Sequence, residues 1–436
     1  MTQPDQDPQR QEFIQWARTH GHPLTGADGD PDVADLAPLS GVVGDARLVG
    51  LGETWHPVHE FLALHFRMTQ YLIEHKGFTA VLLEGSLATA RHLDDYVQGR
   101  RDDLSDVAVS SLWENAETVS FMDWLREHNA ALPPHHRVRI FGLDNYFLIM
   151  EDVTAPGTGF EAVLEYLRRV DPDDTPPHLD VVRQVFSGFA TDAASPTERR
   201  KANFSYFGTL DIPTRDRFRA ALDHIIERLT DNRTEYLDRT DAEDFAWALH
   251  RATVIRQAQD MYETLQQSFA DGLAEHVRAI VHNVQWCVDQ LGDDGKAVIL
   301  ATGVHLTRGP WTYTTHDTPI PSVGALLSET YGDDLVVLST CFGSGRFDPP
   351  NLVTGTVDIP EAAADSLDTA LAATGAAALL VDLRGRTSPP PPVSWLSTPH
   401  PLRPMQNVAN PPRYRLAEAL DAVIYIDHVH AHQPRH

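Results

Sequence analysis

The stretch Leu48–Arg67, LVGLGETWHPVHEFLALHFR, decides the architecture. LVGLG is an unbroken apolar run of the kind that forms a strand buried on both faces, as in parallel sheets. Within a few residues it passes into an amphipathic helical run. The same alternation recurs along the chain, with further strands expected at TAVLLEG (79–85), VRIFGLD (138–144), AVILATG (297–303), LVVLSTCF (335–342), AALLVDLR (377–384) and AVIYIDHV (422–429). Apolar strands separated by longer helical patterns predict an α/β fold, a central, mainly parallel sheet flanked by helices.

Between the third and fourth strands, FEAVLEYLRRV, RDRFRAALDHIIERLT and the long run from Ala242 to Gly292 place apolar residues three and four apart. This predicts a large helical insertion or cap over about 150–290. Residues 1–11 read as a disordered, polar start, and 12–436 as one domain. TSPPPPVSW (387–395) is a proline-rich connection expected to run extended near the surface.

The net charge is −27, from 62 acidic against 35 basic residues, and the basic residues are scattered. Such a chain repels phosphate backbones, which argues against nucleic acid as a partner. No apolar run is long enough for a membrane span, and the first residues lack the pattern of a signal peptide, so a cytoplasmic location is expected. Cys287 and Cys341 lie far apart in apolar surroundings and read as buried thiols rather than a disulfide.

Titratable residues gather at the carboxyl ends of the expected strands: Glu53 and His56, Glu84, Asp144 and His305. That edge is where open α/β sheets bind ligands, because the crossovers leave a crevice there. Each residue also has a purely structural reading. Glu53 can cap the helix that begins near Pro57, Glu84 can pair with an arginine, Asp144 can form a turn with Asn145, and His305 can be a loop histidine. The joint placement favours a site.

Two other chemistries are weighed. His56, His59 and Glu60 fall at i, i+3 and i+4, a spacing that suggests metal ligands, with His305 or Glu84 as a third. The order differs from the usual zinc helix, which has its histidines four apart around the Glu. A serine nucleophile has less support: Ser86 and Ser344 follow strands, but no G-x-S-x-G elbow is present.

Longer motifs then become recognisable. LGETWHPVHEF followed by an arginine, LIEHKGFTAVLLEG, FMDWLREHNA, VRIFGLDNY, HNVQW, ATGVHLTRG and VGALLSETYGDDL occur in the order and spacing of the erythromycin esterase family, which the chain resembles from about residue 13 to 428. The resemblance implies a metal-independent hydrolase without a cofactor, whose cleft lies between the sheet edge and a helical cap. Glu53 and His56 match the family's strand-end Glu and the His three residues later, implying His56 as general base and Glu53 as its support. Arg67 matches the arginine of the following helix, Glu84 the Glu ending the next strand, His305 the last His of the later motif, and Asp144 a supporting aspartate. In those roles Arg67 would hold Glu84 or a developing oxyanion, and His305 would donate to the oxyanion or the leaving alkoxide. Trp55, His59, Glu60 and Arg308 stand beside them as candidate substrate-binding or supporting residues.

The chain departs from the family pattern at specific points. Macrolide esterases commonly read Ala-His-Asn-Gly-His at the second histidine motif, whereas ATGVH has Thr302 and Gly303 in place of His and Asn. Pro57 follows the first histidine where Gly is usual, Trp55 adds a bulky ring, and His276 and Val277 replace an Arg-Asp pair. The expected function is hydrolysis of an ester or lactone in a small-molecule natural product, in antibiotic resistance or natural-product biosynthesis. The alternative is a biosynthetic enzyme using the same groups for intramolecular acyl transfer, cyclisation or elimination. A metalloenzyme and a sequestering self-resistance protein complete the set.

Overall fold

A computed structural model describes residues 7–25, 33–104, 112–145, 159–172, 176–189, 196–313, 316–347, 357–385, 387, 390–404 and 410–433. Its central sheet contains β1 (His22–Pro23), β2 (Leu48–Glu53), β3 (Ala80–Ser86), β4 (Arg139–Asp144), β5 (Ala297–Thr302), β6 (Leu335–Phe347), β7 (Ala378–Asp382) and β8 (Ala422–Val429). They lie in the order β1-β7-β8-β6-β2-β5-β3-β4. The run from β8 to β4 is parallel; β7 and the two-residue β1 pair antiparallel, as does the short strand Val357–Asp358 against the end of β6. The mainly parallel α/β fold read from the sequence is the observed one, and every expected strand is present.

The strand order explains where a site can form. From β2 the chain builds β3 and β4 to one side, returns to insert β5 between β2 and β3, and then crosses to the other side of β2 for β6 and β8. The carboxyl ends of β2, β5 and β3 are therefore neighbours, and the connections leaving β5 and β2 part in opposite directions. This reversal opens the crevice that parallel sheets use for ligands.

Both faces of the sheet are covered, which is why its strands are apolar throughout. In β3, Leu82 packs with one core while Val81 and Leu83 pack with the other, the alternation expected of a strand. One core is shared with helices His59–Lys76 and Ala116–Ala130 through Leu62, Leu72, Met122 and Leu125. The opposite core takes in the segment expected to be an insertion. Helices Phe160–Val170, Ile212–Asp231, Ala242–Leu265 and Phe269–Gln290 contribute Val163, Phe218, Ile255 and Ile280 to the same cluster as Leu82 and Phe141. That segment continues the sheet's own core; its expected start, near residue 150, lies outside the described residues.

Two local differences from the sequence reading have simple causes. The first helix begins at Pro8, inside the stretch expected to be disordered. Asp7 caps it by accepting from Gln9 N at 3.0 Å, and a proline in the first turn suits a helix start. The two-residue β1 and the short pairs Trp311–Tyr313 with His316–Ile320 and Pro399–Pro401 with Arg413–Arg415 are too brief to leave a periodic signal. Both cysteines are buried and unbridged, and no helix among the described residues is long and apolar enough to cross a membrane.

Candidate active site

Four side chains read from the sequence meet at the carboxyl edge. Glu53 ends β2 and is in register with Thr302, which ends β5. The two strand ends can lie this close because Gly303 packs against the Glu53 carbonyl, and a Cβ at Gly52 would come within 2.9 Å of the Gly303 Cα. The short helix Gly303–Leu306 then starts directly over β2 and carries His305 into the cluster. Glu84 arrives from β3 on the other side of β5.

The contacts form a chain. His56 Nδ1 lies 3.4 Å from Glu53 Oε1 and 3.3 Å from Thr302 Oγ1, leaving Nε2 as the ring nitrogen available to a substrate or water. The Thr302 backbone N–H donates to Glu84 Oε2 at 2.5 Å, and Glu84 Oε1 lies 3.5 Å from His305 Nε2. Glu84 is further fixed through its carbonyl, which accepts from the Trp113 indole at 2.8 Å. All four side chains are buried, with exposures of 4% for Glu53, 7% for His56 and Glu84, and 8% for His305.

Burial decides the charges. The His56 imidazole is pulled down to about 4 by desolvation; the nearby Glu84 charge pushes it up and His305 pushes it further down. His56 is therefore neutral at neutral pH and able to accept a proton. The Glu53 carboxyl is held well above the usual carboxylate range by burial and then by the Glu84 charge. Among the described residues its buried Oε2 has no hydrogen-bond partner, and neither has His305 Nδ1.

A third imidazole, not foreseen as a site residue, extends the cluster. His276, on helix Phe269–Gln290, packs edge-on against His305 with ring centroids 5.8 Å apart. Its Nδ1–H donates to Asn145 Oδ1 at 2.8 Å and stands 3.7 Å from Asp144 Oδ1. Burial, with His305 adding to it, takes its pKa down to about 3. Trp311 packs edge-on against His305 from another direction at 5.6 Å. On the same helix Asn283 donates to the Leu143 carbonyl at 2.9 Å, tying helix and β4 together. The available signal was two polar residues, His276 and Asn283, seven apart on an otherwise apolar helix face.

The structure thus joins Glu53, His56, Glu84 and His305, with Asp144 at the next strand through His276. The other candidates go elsewhere. Arg67 is not placed against Glu84: it pairs with Asp35 at 2.8 Å and donates to the Thr25 carbonyl at 2.9 Å, while both Glu84 oxygens face Thr302 and His305. His59 meets Glu117 at 2.6 Å and Glu60 meets His430 at 2.5 Å, so each points away from His56 toward another helix or the chain's end. Trp55 packs edge-on against Phe347 and donates to the Arg403 carbonyl at 2.7 Å, supporting the loop from behind. Arg308 binds Asp421 at 2.6 Å and the Leu335 carbonyl at 2.9 Å, at the start of β6 and β8 rather than at their carboxyl ends. Among the described residues no group of three or more His, Cys, Asp or Glu is placed to hold a metal ion.

Comparison with known proteins identifies the family. The family model for erythromycin esterase matches residues 73–429, a span that includes Glu84, Asp144, His276 and His305. Erythromycin esterase type II of Escherichia coli is 21% identical over 340 residues, covering 77% of this chain and 78% of that protein. Among solved structures, a Bacillus cereus protein superposes with a TM-score of 0.79 at 22% identity, over 98% of this chain and 99% of its own. A mutant of the erythromycin esterase EreC in its open conformation superposes with a TM-score of 0.68 at 16% identity, over 91% and 94%. These structural likenesses share the fold, and the family match extends over most of the chain. The protein belongs to the erythromycin esterase family.

Proposed function

We propose that the protein hydrolyses an ester or lactone of a natural product of the macrolide type, with His56 as general base. The observation that carries this reading is a neutral, buried His56 whose Nδ1 is held by Glu53 and Thr302 beside the Glu84–His305 pair. In the proposed reaction His56 Nε2 takes a proton from water as the water oxygen attacks the carbonyl carbon. The imidazolium that forms is stabilised by the Glu84 charge, which offsets its loss of solvation, while Glu53 and Thr302 hold its Nδ1. In this reading His305 hydrogen-bonds the oxyanion; as the acyl C–O bond breaks, the proton on His56 passes to the leaving alkoxide.

Turnover of macrolide lactones and simple esters in heavy-oxygen water tests this. Hydrolysis puts one heavy oxygen into the product acid, and His56→Ala slows it by about 10²–10⁴. A second reading has its own support: with His56, Glu84 and His305 each less than one-tenth exposed, water has restricted access. The same groups would then serve an intramolecular acyl transfer, a cyclisation or an elimination. Product formed without heavy oxygen would favour that reading over hydrolysis.

A further inference from the structure

A polar cavity of about 180 Å3 lies among helices Leu87–Val97, Phe160–Val170 and Ala242–Leu265. It belongs to the opposite end of β4 from the cluster above. Glu243, next to the cavity residue Asp244, binds Arg139, the first residue of β4, at 2.8 Å, whereas Asp144 at the last residue of β4 faces His276. A strand of that length spans about 17 Å at about 3.3 Å per residue, so an occupant here is separate from a substrate at the carboxyl edge.

Three guanidinium groups converge on the cavity, those of Arg91, Arg169 and Arg251. Two of them are matched by carboxylates. Arg91 lies 3.1 Å from Glu243 and 3.4 Å from Asp95, and Arg169 lies 2.6 Å from Asp244. Arg251 has no ion pair and no hydrogen bond among the described residues, and its Nε is buried. It packs over the Trp247 ring, 5.6 Å from Cζ to the centroid, and the same ring carries Arg91 at 4.9 Å. Desolvation, followed by the charge of Arg91, pulls Arg251 down to about 10, against the opposing pull of Asp95, Asp244 and Glu165.

A guanidinium partly withdrawn from water without an ion-pair partner is under-compensated, and it is shaped to take two oxygens of one anion. Of the two carboxylates that line the cavity, Asp244 is engaged by Arg169, and Glu165 pulls on Arg251 without forming an ion pair with it among the described residues. In a chain of net charge −27, an arginine left unmatched in a polar cavity over an indole floor stands out. The volume equals about six waters at about 30 Å3 each, room for an anionic group but small for a macrolide.

We propose that this cavity binds a compact oxyanion, the phosphate or carboxylate group of a small metabolite, with Arg251 as its principal ligand and Arg91 and Arg169 completing the field. The test is calorimetric titration of the full chain with inorganic phosphate and, separately, with succinate, at constant ionic strength set by chloride. Saturable binding of at least one, with Kd of about 1 mM or tighter, is expected. Arg251→Gln weakens it at least about tenfold, a loss of about 1.4 kcal/mol. Arg169→Ala, which alters an exposed residue and leaves the fold intact, weakens it less. Arg251→Gln also raises the Tm of the ligand-free protein by removing the unmatched charge, and it abolishes the Tm gain that the bound anion gives the parent chain. Saturation by phosphate alone assigns a phosphate ester, and saturation by succinate alone assigns a carboxylate. Failure of both to saturate, or equal binding in the parent and both variants, overturns the proposal.

Discussion

His276 sets its ring edge-on to His305, 5.8 Å between centroids, so that β4 and β5 are linked through two imidazoles rather than one. His276 is held in turn by Asn145, a buried pair whose loss leaves an amide oxygen unmatched. His276→Leu removes the donor and is expected to destabilise the protein by about 1–3 kcal/mol. His276→Gln can donate again and recovers most of that. Equal melting temperatures for the two variants would show that the Asn145 contact contributes nothing.

The acid limb of the rate profile tests the His56 assignment. The neutral imidazole is the active form, so kcat/KM rises through about pH 4 and is level toward neutrality. Glu84 pushes the His56 pKa up and His305 pushes it down. Glu84→Gln therefore moves the limb to lower pH and His305→Asn moves it to higher pH, whatever either does to the rate itself. Movement of both in one direction contradicts the assignment. His56→Ala lowers kcat by about 10²–10⁴.

Much of this was legible in the sequence because it follows from local rules. Apolar runs gave the strands, and a parallel sheet delivers strand-end residues to one edge, which placed Glu53, His56, Glu84 and His305. What escaped depended on side-chain direction. Arg67 lies on the helix that follows His56, but its side chain reaches Asp35, and no spacing rule fixes that. His276 sits more than a hundred residues from Asn145 in sequence, and only the packing of its helix on β4 brings the two together. In the helical segment, amphipathicity shows that a face is buried, not which residues of the sheet it packs against.

Acid stability should be governed by buried neutral histidines. His56 is pulled to about 4, and His65 and His276 to about 3, against an unfolded value near 6.5. Because the unfolded chain takes up these protons first, the stability they carry is present above about pH 6.5 and is lost progressively down to about pH 3–4. Glu53 acts in the opposite sense, since its raised pKa favours the folded state below the ordinary Glu value and that gain fades as pH rises through its folded pKa. His65 lies outside the cluster's contacts, and its buried Nε2 has no hydrogen-bond partner among the described residues. His65→Leu should therefore flatten the fall in Tm between about pH 6.5 and 4. An unchanged slope would remove His65 from the account.

Arg308 offers the clearest separation of scaffold from site. Asp421 takes Arg308 at 2.6 Å, Arg384 at 3.0 Å and the Val337 backbone N–H at 2.8 Å, so one buried carboxylate fastens the start of β8 to β6 and to two arginines. Asp421→Asn leaves Arg308 without its counter-charge in a half-buried setting and is expected to destabilise by about 3–5 kcal/mol. Arg384 is one-third exposed, and Arg384→Ala should cost no more than about 1 kcal/mol. Arg308→Ala should follow Asp421→Asn, with a large fall in Tm and an unchanged KM in the folded fraction. A raised KM with an unchanged Tm would return Arg308 to the substrate pocket and break the assignment of this contact to the scaffold.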